Sequence, residues 1–149
     1  MKLEQRYSAG IAVIYDGKVL LGHSTGRGKF HSWGISKGGI EEGESNLEAA
    51  IRETEEEFGI KVPTKLIGKD EYTFVVTSRK YKYNKVVYYY IMEITDLSQI
   101  GLKTLDIPKS KLQLKEIDSA KFVGYRDAMD LIMVSQSQVI TNLLSKGLI

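Results

Sequence analysis

Apolar and small residues alternate or run together from Tyr7 to Tyr15 (YSAGIAVIY), which predicts a strand. Asp16-Gly17 is a hairpin turn signal, and Lys18 to Leu21 returns as a second strand. Gly22 to Lys29 (GHSTGRGK) is polar and glycine-rich and reads as a loop, and Trp33 to Lys37 is a short extended piece. Leu66 to Thr77, Lys85 to Thr95 and Ala120 to Tyr125 are β-rich by composition. Asp96 to Lys115 reads as loop with one short strand. Tyr125 to Val134 and Ser135 to Leu144 have helical spacing.

The segment Gly38 to Ile60 (GGIEEGESNLEAAIRETEEEFGI) departs from this strand-rich pattern. Ser45 followed by Glu48 is a capping box that starts a helix, and Gly59 is placed to end it. Leu47, Ala50, Ile51, Thr54 and Phe58 form one arc, which amphipathic logic assigns to the core. A helix turns by ~100° per residue, so Glu56 and Glu57 fall within roughly 60° on either side of Glu53. Three carboxylates on one stripe repel each other, and helix stability gives no reason for them. A hard divalent cation, Mg²⁺ or Mn²⁺, takes oxygen ligands and does give one. Glu48 and Glu55 point roughly opposite, as solvated charge. Arg52, at the edge of the stripe, is expected to pair with Glu44 and fix the preceding loop against the helix. An acidic run taken alone is more often just a charged outer face.

The spacing of the whole segment decides between these readings. It runs Gly38, Glu44, Arg52-Glu53-Thr54, Glu56-Glu57, Gly59-Ile60, and it resembles the signature of the Nudix hydrolases. Thr54 stands where that pattern often has an aliphatic residue. The resemblance implies an α/β/α sandwich with a mixed β-sheet between helices. It also implies hydrolysis of a pyrophosphate bond in a nucleoside diphosphate derivative with Mg²⁺ or Mn²⁺. Glu53, Glu56 and Glu57 would bind metal, one of the last pair would help activate water, and the carbonyl of Gly38 would be a further ligand. With Arg52 they make the catalytic set. Within the family the chain resembles the asymmetric dinucleoside tetraphosphate hydrolases, which cleave diadenosine tetraphosphate to ATP and AMP. Tyr7-Ser8-Ala9-Gly10, Trp33 before Lys37-Gly38, Lys85-Val86-Val87-Tyr88-Tyr89-Tyr90, and Glu116 before a late strand carry that likeness. Glu116 is thereby implied as a ligand or base outside the helix. Ser36 stands where these subgroups usually have proline, so a looser loop is expected there. RNA 5′-end pyrophosphohydrolases and ADP-ribose hydrolases share part of the pattern. A nucleotide sensor without turnover usually lacks part of the glutamate set, which is complete here.

Composition narrows the picture further. The chain of 149 residues suits one domain, 1–149, with 42% hydrophobic and 27% charged residues. No apolar stretch approaches twenty residues, so no membrane span is expected, and Met1 to Arg6 does not read as a signal peptide. The absence of cysteine excludes disulfides and thiolate metal sites, and a cytoplasmic location is the default. Net charge is +2, too small to argue for nucleic acid by itself. The partner implied is a nucleotide or dinucleotide, with an RNA 5′ end as the alternative; both a monomer and a homodimer are compatible with the sequence.

The remaining candidates concern substrate. Lys37, beside the glycine turn, is expected to bind a phosphate as a point charge. Arg79, Lys80, Lys82 and Lys85 surround Tyr81 and Tyr83, either as a solvated hairpin or as a phosphate-steering patch. Lys85 is a candidate phosphate contact and Tyr89 a candidate purine stacker, although aromatics in strands are more often core. Tyr88 and Tyr90 must face away from Tyr89. His31 is placed in the loop as a candidate substrate contact, and Trp33 as packing that orients that loop.

Overall fold

A computed structural model describes residues 2–149. Its spine is β1 (Glu4–Tyr15), which is followed by β2 (Lys18–Ser24), β3 (Trp33–Gly34), β4 (Ser36–Gly39), α1 (Asn46–Phe58), β5 (Tyr72–Ser78), β6 (Tyr83–Ile94), β7 (Ile117–Val123), α2 (Tyr125–Leu131) and α3 (Ser137–Ser145). β1 pairs in parallel with β6 from Glu4↔Tyr83 to Tyr15↔Ile94. Its other edge is shared: β2 runs antiparallel to it at Ile14↔Val19, and β4 runs antiparallel at Ser8↔Gly39 through Ile11↔Ser36. β5 closes one side on β6, and β7 the other on β2. The sheet is therefore mixed, as the resemblance implied.

β1 reads as a near-continuous apolar run because both of its faces are covered. Ala9, Ile11 and Val13 join Leu20, Tyr90 and Met92 beneath Ala49, Ala50 and Phe58 of α1. Ala12 and Ile14 join Val19, Leu21, Val87 and Ile91 beneath Leu131, Val139, Ile140 and Leu143 of the C-terminal helices. That is the α/β/α sandwich expected from the sequence. Among the described residues no helix is long and apolar enough to cross a membrane.

Four details differ from the expectation: the first is that Gly22 to Ser24, read as the start of a loop, prolong β2. The stretch from Leu66 is not strand until Tyr72; a 3₁₀ turn at Thr64–Leu66 comes first. Asp96 to Lys115 holds two 3₁₀ turns and no strand, its only ladder contact being the single bridge Asp106↔Lys121. Leu47 is 38% exposed rather than core, whereas Ala49, Ala50, Thr54, Glu57 and Phe58 are buried. α1 lies against β1 and β4, so the buried stripe is turned toward the acidic face and takes in Glu57 itself.

Candidate active site

α1 starts and stops as its sequence dictates. The Glu48 amide donates to Ser45 Oγ at 3.0 Å, and the Ser45 amide donates to Glu48 Oε1 at 3.1 Å. Gly59 ends the helix at φ 61°, a left-handed conformation that costs glycine little, with its N–H donating to the Glu55 carbonyl. The helix is thus a rigid mount for its acidic stripe.

β4 crosses that stripe. The Lys37 amide donates to Glu57 Oε1 at 2.8 Å. Gly38 lies so close to Glu53 that an added Cβ would stand 2.0 Å from its carboxyl carbon, so only glycine fits. Just upstream, Ser36 Oγ and Thr54 Oγ1 are 2.6 Å apart, and Thr54 donates to the Ala50 carbonyl at 2.8 Å. Ser36 is buried in paired strand, so the looser loop expected there is not found.

Arg52 locks the loop to the helix as expected. Its Nε and Nη2 donate to the two oxygens of Glu44 at 2.7 and 2.9 Å, and Nη2 also donates to the Gly39 carbonyl at 2.9 Å. Nη1 donates to Glu53 at 2.9 Å and to Glu56 at 3.3 Å. The planar fork serves three carboxylates and a backbone oxygen, which a lysine cannot do.

The electrostatics follow. Hydrogen bonds from Arg52 and from the Glu41 amide hold Glu44 down to about 2. Burial pushes Glu57 up to about 8; the Lys37 amide opposes this, and the charges of Glu53 and Glu116 add to it. Burial also raises Glu53, against Arg52 and with Glu56. In both groups burial is the largest cause and a neighbouring carboxylate adds to it, and a divalent cation would offset both. Glu53, Glu56 and Glu57 line one cleft with Lys37, Gly38, Gln113 and Glu116. Among the described residues no group of three acidic or histidine side chains is already drawn together tightly enough to hold an ion. Arg52 engages Glu53 and Glu56 instead. The donor set is all oxygen, which suits Mg²⁺ or Mn²⁺.

Lys37 also lines a basic groove on its other side, together with Arg27, His31, Tyr83 and Lys85. Val76, Met133 and Val134 supply its apolar wall. Lys85 is held below the usual lysine range by burial first, then by Lys37 and Arg6. His31 takes φ 55° at the groove, and its Nδ1 lies 3.1 Å from the Ile132 carbonyl.

One substrate expectation needs correction, and one left open is narrowed. Tyr89 is 3% exposed, packed between Tyr72 and Phe74 with its hydroxyl bonded to Asn142, on the face covered by α3. It cannot stack a purine there. Arg79, Lys80 and Lys82 are exposed around the hairpin turn, the solvated arrangement, whereas Lys85 and Tyr83 farther along β6 reach the groove. The sequence reading missed Arg27 and Gln113. Arg27 lies in a glycine-flanked loop with no periodicity, and Gln113 in an irregular stretch; neither carries a local signal.

A mixed sheet between helices, with a glycine turn laid across an acidic helix, defines the class: an α/β/α hydrolase of the Nudix type. The chain belongs to the Nudix hydrolase family, whose NUDIX domain model matches residues 4–143. It is 31% identical over 132 residues to a Mycobacterium tuberculosis protein named as mutator protein MutT4, covering 87% of this chain and 50% of that protein. The chain thus spans about half the length of that curated relative. Among solved structures it resembles the C. elegans Ap4A hydrolase in binary complex, with TM-score 0.69 and 21% identity over 96% of this chain and 97% of that one. It also resembles a bifunctional NMN adenylyltransferase/ADP ribose pyrophosphatase from Francisella tularensis complexed with AMP and a Mn ion, with TM-score 0.72 and 17% identity over 97% of this chain and 42% of that one.

Proposed function

We propose that this chain hydrolyses a phosphoanhydride bond in nucleoside polyphosphates with Mg²⁺ or Mn²⁺, and that dinucleoside tetraphosphates are its preferred substrates, diadenosine tetraphosphate giving ATP and AMP. The observation that carries the reading is the position of Lys37, shared by an all-oxygen acidic cleft and a basic groove. One extended polyanion can lie across both. The likeness to an Ap4A hydrolase over nearly the whole chain supports the same substrate class.

Glu53, Glu56 and Glu57, with the Gly38 carbonyl and Glu116, are the groups that would hold the cations. Bound there, a divalent ion supplies charge neutralisation for the phosphates and a lowered pKa for water. The protein's own part is positional. Arg52 sets the carboxylates of Glu53 and Glu56. Lys37 and Lys85 draw the phosphates in, and His31 offers a ring nitrogen at the groove. Glu57 accepts a proton from the attacking water as its oxygen bonds to phosphorus and the bridging oxygen leaves. Lys37 faces the charge that develops on the leaving phosphate.

The test is product release with Mg²⁺ from diadenosine tetraphosphate, ADP-ribose and triphosphorylated RNA side by side, with Glu57→Gln as control. Turnover is expected to be fastest on the tetraphosphate and to fall by several orders of magnitude in the variant, with unchanged circular dichroism. Faster turnover of RNA or ADP-ribose would reassign the substrate. Binding without turnover of any of the three would make the chain a sensor.

A further inference from the structure

His23, at the end of β2, takes no part in the mechanism above, yet its ring is fully engaged. Nδ1 lies 2.6 Å from Asp118 Oδ1 on β7, and Nε2 lies 2.7 Å from the Gly28 carbonyl in the loop after β2. One face of the ring packs on Trp33, centroids 5.3 Å apart. Both polar neighbours are acceptors: a carbonyl has no proton to give, and Asp118 is held in its ionised form by the His23 hydrogen bond. A neutral imidazole has one N–H and would set a lone pair against one of them. The two contacts are satisfied together only by an imidazolium.

The loop so held is the one that delivers Arg27 and His31 to the basic groove. The loop is also tied at Thr25, whose amide donates to the Glu116 carbonyl and whose hydroxyl donates to the Leu114 carbonyl, and at His31, whose amide donates to the Asp130 carbonyl; between them the Trp33 indole N–H donates to the Lys29 carbonyl at 3.2 Å and the Ser32 hydroxyl donates to the Gly28 carbonyl. The Gly28 carbonyl is thus the point where His23 grips the loop. We propose that protonated His23, clamped between Asp118 and the Gly28 carbonyl, is a positioning residue that holds Arg27 and His31 against the phosphates of the substrate, and that loss of its proton loosens the loop and weakens polyphosphate binding.

The charges around the ring agree. Burial opposes protonation, but the Gly28 carbonyl and the Asp118 carboxylate outweigh it and hold His23 above the usual histidine range. Asp118 is the one acidic group facing the ring. Lys109 acts on Asp118, and Lys121 lies over the far partner, Trp33, at 5.3 Å. Neither cation contacts His23.

The inference rests on the proposed function only for the identity of the polyanion; the clamp itself is read without it. The first test is therefore independent of turnover. NMR titration of the His23 ring in the full chain is expected to show a charged imidazolium with a midpoint above about 6.5, the ordinary histidine value. Asp118→Asn is expected to lower that midpoint by about one unit. Exchange protection of the Trp33 indole N–H, which reports the Lys29 carbonyl, is expected to fall through the same midpoint. A ring that is neutral below about 6.5, or indole protection that does not follow its titration, overturns the proposal. The second test is kinetic. KM for diadenosine tetraphosphate is expected to rise about tenfold above the His23 midpoint, the worth of one charge-assisted hydrogen bond, while kcat changes less than about twofold. His23→Gln, which cannot titrate, is expected to have a high KM at every pH. A rise in KM with pH that persists in His23→Gln also overturns the proposal. Should no nucleotide on the panel be turned over, the functional reading fails, while the ring titration and the indole protection still decide the clamp.

Discussion

Ser36 and Thr54, two of the positions at which this chain departs from the pattern it resembles, touch each other. Their hydroxyl oxygens are 2.6 Å apart in the buried seam between β4 and α1. Because Thr54 donates its proton to the Ala50 carbonyl, Ser36 must donate to Thr54. The chain runs Ser36, Thr54, Ala50, and every group is satisfied. A lone Thr54→Val would leave the Ser36 hydroxyl buried without an acceptor, at a cost of about 1–3 kcal/mol. Ser36→Ala/Thr54→Val, which removes both partners, is expected to recover much of that loss. A double-mutant cycle by urea denaturation checks the coupling, and additive losses would mean that the two hydroxyls act separately.

Gly38→Ala puts a methyl 2.0 Å from the Glu53 carboxyl carbon. β4 is fixed by its pairing to β1, so the carboxylate must give way. Turnover is expected to fall by at least about 100-fold, as for a misplacement of about 1 Å at a reacting centre. Half-saturation by Mg²⁺ should rise as well. Activity titrated against Mg²⁺ checks both, and an unchanged curve would remove Glu53 from the site.

Arg52→Lys keeps the charge but loses the fork that serves Glu44, Glu53 and the Gly39 carbonyl. The partners are partly exposed, so the expected loss is about 1–2 kcal/mol, discounted from the value for a buried pair. Mg²⁺ should restore part of it, because the freed Glu53 and Glu56 gain a cation. Thermal melts with and without Mg²⁺ make the comparison.

Tyr89→Phe removes only the hydroxyl that meets Asn142 and leaves the ring between Tyr72 and Phe74. Stability should fall by about 1 kcal/mol with KM unchanged. Lys85→Ala, at the groove, should do the reverse and raise KM by about tenfold, the effect of losing a charged phosphate contact. KM values for the two variants, set beside their denaturation midpoints, distinguish core from substrate contact; a raised KM in Tyr89→Phe would return that ring to the site.

Glu57 gives a pH prediction whose sign is fixed by its environment. With burial holding it up at about 8, the metal-free folded chain keeps a proton that the unfolded chain has already released. Folded stability should therefore decline as pH rises from the ordinary glutamate range toward about 8, and level off above it. A bound divalent cation favours the ionised form, so Mg²⁺ should flatten that decline and release a proton on binding near neutral pH. Calorimetry in buffers of different ionisation enthalpy measures the proton directly. Binding without proton release would place the cation away from Glu57.

The features legible in the sequence were those made by near neighbours. The capping box of Ser45 and Glu48, the stop at Gly59, the acidic stripe and the grip of Arg52 on Glu44 all depend on helical spacing or on a short loop, and such contacts are specified wherever the segment folds. The alternation in β6 separated Tyr89 from Tyr88 and Tyr90 equally well, but it could not say which face α3 would cover. That is why Tyr89 read as a substrate contact and proved to be core. Only the tertiary structure decided that Leu47 stays exposed while Glu57 is buried, since the turn of α1 against β1 and β4 is set by packing between distant strands. The same holds for Lys37 joining two sites, for Ser36 meeting Thr54, and for His23 meeting Asp118 across 95 positions of chain. Contacts of that reach follow from how the sheet assembles, and the order of its strands, β3-β2-β1-β6-β5, is not written in any local pattern.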